Sequence, residues 1–156
     1  MSNQNEFQCL ILAGGLATRL RPLTENIPKA MVPVEGKPFV EYQIMLLREY
    51  GITDIVLCIG HKGEMIKDYF KNGASLGVRI TYSHEETQLG TGGAIRNALN
   101  LLDDHFIVLY GDAYLNINYK KIIDFRKQDN SDALLVVFKN EGNLDTSNVL
   151  FQDEKF

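Results

Sequence analysis

The sequence predicts an open α/β fold, a mostly parallel sheet covered by helices on both faces. Two observations carry this. Short apolar runs alternate with segments of helical period, and most of those runs are apolar at nearly every position, as strands buried on both faces require. The first strand is expected over residues 7–12 (FQCLIL). Pro38 then opens a helix whose Val40, Ile44 and Leu47 share one face and which Gly51 stops. Asp54–Ile59 reads as the second strand, residues 64–70 as the next helix and residues 78–83 as the third strand. A helix follows with Ile95, Ala98, Leu99 and Leu102 on one stripe, then a strand at Phe106–Tyr110, a helix over residues 119–127 and a last strand over residues 133–138. This alternating order implies right-handed crossovers within one open sheet.

One globular domain is expected over residues 1–156. At 156 residues and 45% hydrophobic content the chain can bury a core without disulfides or a structural metal. The net charge of −4 argues against a polyanionic partner, so no nucleic acid is expected to bind. Cys9 and Cys58 fall inside expected strands and read as small buried apolar residues of a reduced, intracellular protein; no CxxC or His/Cys cluster points to zinc or redox work. The first residues are polar and no long apolar run follows. Neither a signal peptide nor a membrane span is expected, which makes the cytoplasm the default location.

Ligands of such sheets bind outside the carboxyl ends of the strands, and the chemistry-bearing residues all fall there. The first strand ends at Leu12, Ala13, Gly14 and Gly15, the second at Gly60, His61 and Lys62, the third at the loop 85–93, and the fourth at Gly111 and Asp112. One composite site follows. In its first loop, Gly14 and Gly15 let backbone N–H groups approach an anion, Arg19 supplies a planar fork of donors, and Lys29 adds a mobile point charge. That is phosphate-handling chemistry. A carboxylate at the fourth strand end, facing a triphosphate, suits Mg²⁺, which takes one or two carboxylates together with phosphate oxygens and water; the plainer role for Asp112 is to cap the following turn. His61, at the same edge, is a further contact candidate against a solvated turn residue, whereas His84 and His105 carry no expected role and Tyr114 and Tyr119 read as packing.

Gly14, Gly15, Leu16, Ala17, Thr18 and Arg19, followed by Pro22-Leu23-Thr24 and Pro28-Lys29-Ala30, resemble the signature of sugar-1-phosphate nucleotidylyltransferases, the NDP-sugar pyrophosphorylases. The usual form is Gly-Gly-x-Gly-Thr-Arg, then Pro-x-Thr and Pro-Lys-Pro. Ala17 stands where a third glycine is usual; if that position needs a positive φ, its methyl group costs about 1 kcal/mol. Ala30 stands at the second proline, which should loosen the turn that aims Lys29. Within the family, KAMVPVEGKPFVEYQI, LGTGGAIRNAL and DTSNV are most similar to mannose- and heptose-1-phosphate guanylyltransferases.

The resemblance implies a Rossmann-like fold of the nucleotide-diphospho-sugar transferase type, Mg²⁺ as cofactor held by Asp112, and a nucleoside triphosphate and a sugar 1-phosphate as partners. It further implies that Leu12, Ala13, Gly14, Gly15 and Thr18 hold the nucleotide together with Gly90, Thr91 and Gly93, that Glu85 reads the base edge, and that Arg19, Lys29 and Asp112 carry the transfer. Gln88 stands where many members have proline, which bears on the shape of that loop. Members are substantially longer, and residues 145–156 resemble the region just before their sugar-binding elements. The chain therefore reads as a nucleotide-binding domain lacking the C-terminal part of the sugar-binding half, and apolar surface left uncovered would favour self-association into a homo-oligomer.

Rival readings are weaker. A P-loop nucleoside triphosphatase is excluded because no GxxxxGK[ST] occurs, and a dinucleotide oxidoreductase is disfavoured because the first loop lacks GxGxxG and the second strand ends without a ribose-binding acid. The serious rival is a non-catalytic regulatory subunit that binds nucleotide or sugar phosphate: Arg19, Lys29 and Asp112 together argue against it, and the missing C-terminal part argues for it. The expected reaction is nucleotidyl transfer from an NTP to a sugar 1-phosphate. GTP is favoured because guanine offers N1–H and an exocyclic amine side by side, which match the acceptor-only carboxylate of Glu85; a UTP- or CTP-dependent enzyme is the alternative.

Overall fold

A computed structural model of the chain describes residues 7–15, 22, 24–129 and 131–139. The chain clusters into two compact units, Met1–Lys121 and Ile122–Phe156. In the first unit, strand β1 (Gln8–Leu12) is followed by a 3-10 turn at Lys29–Met31 and a small antiparallel ribbon, β2 (Pro33–Val34) with β3 (Lys37–Pro38), which leads into α1 (Phe39–Glu49). Then come β4 (Asp54–Ile59), α2 (Gly63–Phe70), β5 (Arg79–His84), α3 (Gly90–Ala98) and β6 (Phe106–Tyr110); α4 (Tyr119–Gln128) runs into the second unit. Among the described residues no helix is long and apolar enough to cross a membrane.

The main sheet is four-stranded and parallel, in the order β5-β4-β1-β6. Register is level across its centre: Leu12 stands opposite Cys58 on one side and Tyr110 on the other. The connections α1 and α2 both step the same way along the sheet, whereas α3 returns across it, so right-handed crossovers set α1 and α2 on one face and α3 on the other. Burial agrees. Leu10, Val56 and Cys58 pack with Ala94 and Ala98 of α3. By the two-residue alternation of a strand, Cys9, Ile11, Ile55, Leu57 and Ile59 face the opposite side, where Val40, Ile44 and Leu47 of α1 and Ile66 and Phe70 of α2 are also buried. Both cysteines lie in this core, as their strand context implies.

Three expectations need correction. Coverage on both faces holds for β1 and β4 but not for the outer strands, since β5 buries only Ile80 and Ser83 and Val108 and Tyr110 of β6 are exposed. Leu99 leaves its stripe because α3 tightens into a 3-10 turn at Leu99–Leu101, and the change of angular step turns that side chain to solvent, 53% exposed. Residues 133–138 form no strand. An apolar run becomes a strand only where a neighbour offers an edge for its backbone groups, and among the described residues none pairs with it; Leu135, Val136 and Phe138 are exposed.

Candidate active site

The order β5-β4-β1-β6 reverses direction at β1, and a crevice is expected at the carboxyl ends where two neighbouring strands send their chains opposite ways. A cavity of about 510 Å³ lies there. Its lining comes from the loop after β1 (Leu12 to Gly15), the 3-10 turn (Lys29, Ala30), the loop after β5 and the start of α3 (Glu85, Gln88 to Thr91, Ala94), and the end of β6 (Tyr110 to Asp112). Of the residues singled out from the sequence, Leu12, Ala13, Gly14, Gly15, Lys29, Glu85, Gly90, Thr91 and Asp112 meet on it. Gly93 does not. It makes room for its own helix start, because a Cβ there would lie 2.7 Å from Cβ of Leu89. Thr18 and Arg19 lie outside the described residues.

Backbone ties fix the loop after β1 between its neighbours. Ala13 N–H donates to the Cys58 carbonyl at 2.8 Å and Gly111 N–H to the Leu12 carbonyl at 2.9 Å. The approach is close enough to exclude side chains: a Cβ on Gly111 would stand 2.6 Å from the Leu12 oxygen, and one on Gly14 would stand 2.8 Å from Oε1 of Glu85. Gly14 thus brings bare backbone against the carboxylate. Glu85 is half-buried and also accepts from Leu89 N–H at 3.4 Å. Gly90 opens α3 at φ +68°, in the left-handed region, no side chain caps the first turn, and Gly90 and Thr91 line the cavity.

On the opposite wall, Lys29 Nζ donates to Asp112 Oδ2 at 2.5 Å, with the two side chains 35% and 45% exposed. The turn carrying Lys29 is closed, despite Ala30, by Met31 N–H to the Pro28 carbonyl at 2.9 Å and Val32 N–H to the Lys29 carbonyl at 3.1 Å; Ala30 itself is buried. Beneath Glu85, the Cys58 thiol is pushed up to about 12, first by burial and then by the Glu85 charge. It stays protonated and is no nucleophile. Among the described residues no cluster of three or more metal-ligating side chains occurs. Asp112 offers one carboxylate to the cavity, a donor set that fits Mg²⁺ when phosphate oxygens and water complete the shell.

A smaller cavity of about 230 Å³ adjoins the first through Gly14, Glu85 and Gln88 and is lined also by Gly60, His61, Glu86 and Thr87. This is where His61 lies. Tyr110 and Gln43 were not singled out in the sequence. Tyr110 ends an apolar strand and gives no local sign that it faces a ligand. Gln43, on α1, donates from Nε2 to the carbonyls of Tyr110 and Ala113, on either side of Asp112.

The family model described as "Nucleotidyl transferase" matches residues 8–147. The chain belongs to the nucleotidyl transferase family. Within it, the chain is 43% identical over 115 residues to D-glycero-alpha-D-manno-heptose 1-phosphate guanylyltransferase of Campylobacter jejuni, covering 74% of this chain and 52% of that protein. It is 36% identical over 152 residues to the probable mannose-1-phosphate guanylyltransferase 1 of Oryza sativa, covering 94% and 42%. Among solved structures, HddC from Yersinia pseudotuberculosis complexed with GMP-PN superposes with a TM-score of 0.69 at 38% identity, over 76% of this chain and 53% of that one. The chain thus spans about half the length of the curated relatives it matches.

Proposed function

We propose that this nucleotidyl transferase family member carries the nucleotide-binding half of a sugar-1-phosphate guanylyltransferase, which moves GMP from GTP onto a sugar 1-phosphate and releases pyrophosphate. The observation that carries the reading is the convergence of Lys29, Asp112, the bare backbone at Gly14 and the start of α3 on one cavity at the carboxyl edge of the sheet. Similarity to guanylyltransferases supports the choice of base. In the reaction, a phosphate oxygen of the sugar 1-phosphate attacks the α-phosphorus in line. The new P–O bond forms as the α–β bridging bond breaks, and its electron pair leaves with pyrophosphate.

No protein nucleophile is required, so the residues act by position and charge. Lys29 exchanges Asp112 for the reacting phosphates, and Arg19 holds the triphosphate. Asp112 would hold Mg²⁺, which would supply charge neutralisation to the triphosphate. Leu12 to Gly15 and the segment Gly90 to Gly93, with Thr18, hold the nucleotide, while Glu85 accepts from guanine N1–H and its amine. We place the reaction in the cytoplasm, where nucleoside triphosphates are abundant. Exposed apolar side chains such as Tyr110 and Leu99 support self-association, which light scattering would read.

The test is a pyrophosphate-release screen of the intact protein against GTP, UTP, CTP, ATP and dTTP, each crossed with several sugar 1-phosphates. GTP is expected to lead, and Glu85→Gln should erode that lead. A preference for UTP or CTP untouched by Glu85→Gln would sink the guanine assignment, and a protein that neither releases pyrophosphate nor binds any nucleoside triphosphate would sink the transferase reading.

A further inference from the structure

We propose that Gln43 is a positioning residue that holds Asp112 at the working geometry from beneath. The inference rests on the nucleotidyl-transfer reading of the site. Gln43 belongs to the buried part of α1, only 2% exposed, on a helix whose Val40, Ile44 and Leu47 are fully buried. An amide in such a place must be hydrogen-bonded, and its partners are far off in the chain. Nε2 donates to the Tyr110 carbonyl at 2.9 Å and to the Ala113 carbonyl at 2.6 Å, 67 and 70 residues away. These two carbonyls bracket Gly111 and Asp112. A primary amide has two N–H donors, and both are spent here; turning the group over would set its oxygen against two oxygens, which fixes its orientation.

Three ties then converge on one turn. Ala113 N–H donates to the Tyr110 carbonyl at 3.1 Å, Gly111 N–H donates to Leu12, and Gln43 grips both carbonyls from the helix below. The same helix also secures the partner charge. Phe39 N–H, at the first residue of α1, donates to the Val32 carbonyl at 3.0 Å, just after the turn that carries Lys29. So α1 references both members of the Lys29–Asp112 pair to one rigid body. Among the described residues Oε1 of Gln43 has no partner, which marks the side chain as kept for its donors: an apolar residue would fill the place without burying an unpaired oxygen.

The test uses Gln43→Met, close in length and shape but without donors. Hydrogen exchange should speed up in the segment 110–113 while β1 and β4 keep their protection. The Mg²⁺ concentration for half-maximal turnover should rise about tenfold, the scale for losing a group that orients a metal ligand, with the KM for sugar 1-phosphate unchanged. Gln43→Asn, which keeps the amide but withdraws it by one methylene, serves if the first variant does not accumulate and should show the same changes. Wild-type exchange at 110–113, or faster exchange with an unmoved Mg²⁺ requirement, would overturn the proposal, the second outcome leaving Gln43 a purely structural residue. Wild-type protein indifferent to Mg²⁺ and to Asp112→Asn would instead sink the reading on which it rests.

Discussion

The ion pair of Lys29 with Asp112 contributes little to the fold. Two partly exposed side chains 2.5 Å apart still share solvent, and such pairs are worth about 0–1 kcal/mol. On the proposed reading its value lies in being exchangeable, with a phosphate competing for the ammonium and a cation for the carboxylate. Asp112→Ala and Arg19→Ala should therefore each lower turnover by about a hundredfold or more while the melting temperature moves little. Steady-state pyrophosphate release with a parallel thermal melt checks this, and unaltered turnover in both variants would rule out the assignment. Gly111→Ala, next to Asp112 on the cavity wall, should cost stability as well as turnover. Its Cβ would meet the Leu12 oxygen at 2.6 Å and force β1 from β6, a loss of about 2 kcal/mol in urea unfolding. Lys29, Glu85 and Asp112, which line the cavity, were legible because each lies in a short sequence motif. Gln43 was not, since its partners lie 67 and 70 residues away and its neighbours Val40 and Ile44 speak only of a core.

Elements were legible where local pattern and tertiary role agree. β4 and β6 fall at the expected residues, and α1 begins directly after Pro38. They were not where a neighbour decides: residues 133–138 have a strand's composition without a paired edge, and Leu99 has a helical stripe's spacing in a segment that tightens to 3-10. The turn between α2 and β5 offers a test of this scale. Gly73 sits at φ +82°, with its missing Cβ 2.7 Å from Cγ1 of Ile80 and 2.9 Å from the Val78 carbonyl. Gly73→Ala combines a left-handed backbone with a clash and should cost about 2–3 kcal/mol, while nucleotide affinity per folded molecule is kept. Urea unfolding alongside a binding titration would show both; a stable variant with weakened binding would contradict the assignment.

For the molecule as a whole, the buried thiols tie stability to alkaline pH. Burial raises Cys58 to about 12 and Cys9 higher still, from an ordinary 9.0. Above pH 9 the unfolded chain has shed protons that the folded chain keeps. Stability is thus fully present below that pH and is lost as pH climbs toward the folded values, by about 1.4 kcal/mol per pH unit and thiol. Urea midpoints at pH 8 and 10.5 should fall more steeply for wild type than for Cys9→Ala/Cys58→Ala; parallel falls would refute this. Tyr82, raised to about 12 by burial, is common to the two proteins and cancels.

The cavity occupies one edge of the sheet, and the other edge has its own closures: Phe7 stacks on His105 with ring centroids 6.1 Å apart, and Asp54 pairs with Arg79 where β4 and β5 begin. A five-residue strand separates the two edges by about 17 Å. Because the chain's only cysteines, Cys9 and Cys58, are sealed in the core, its surface is silent to maleimides. A thiol introduced by Asp104→Cys, at an exposed position beside that far edge, would be the single point of attachment for a dye or a tether, and would let the protein be anchored with its open crevice facing solution.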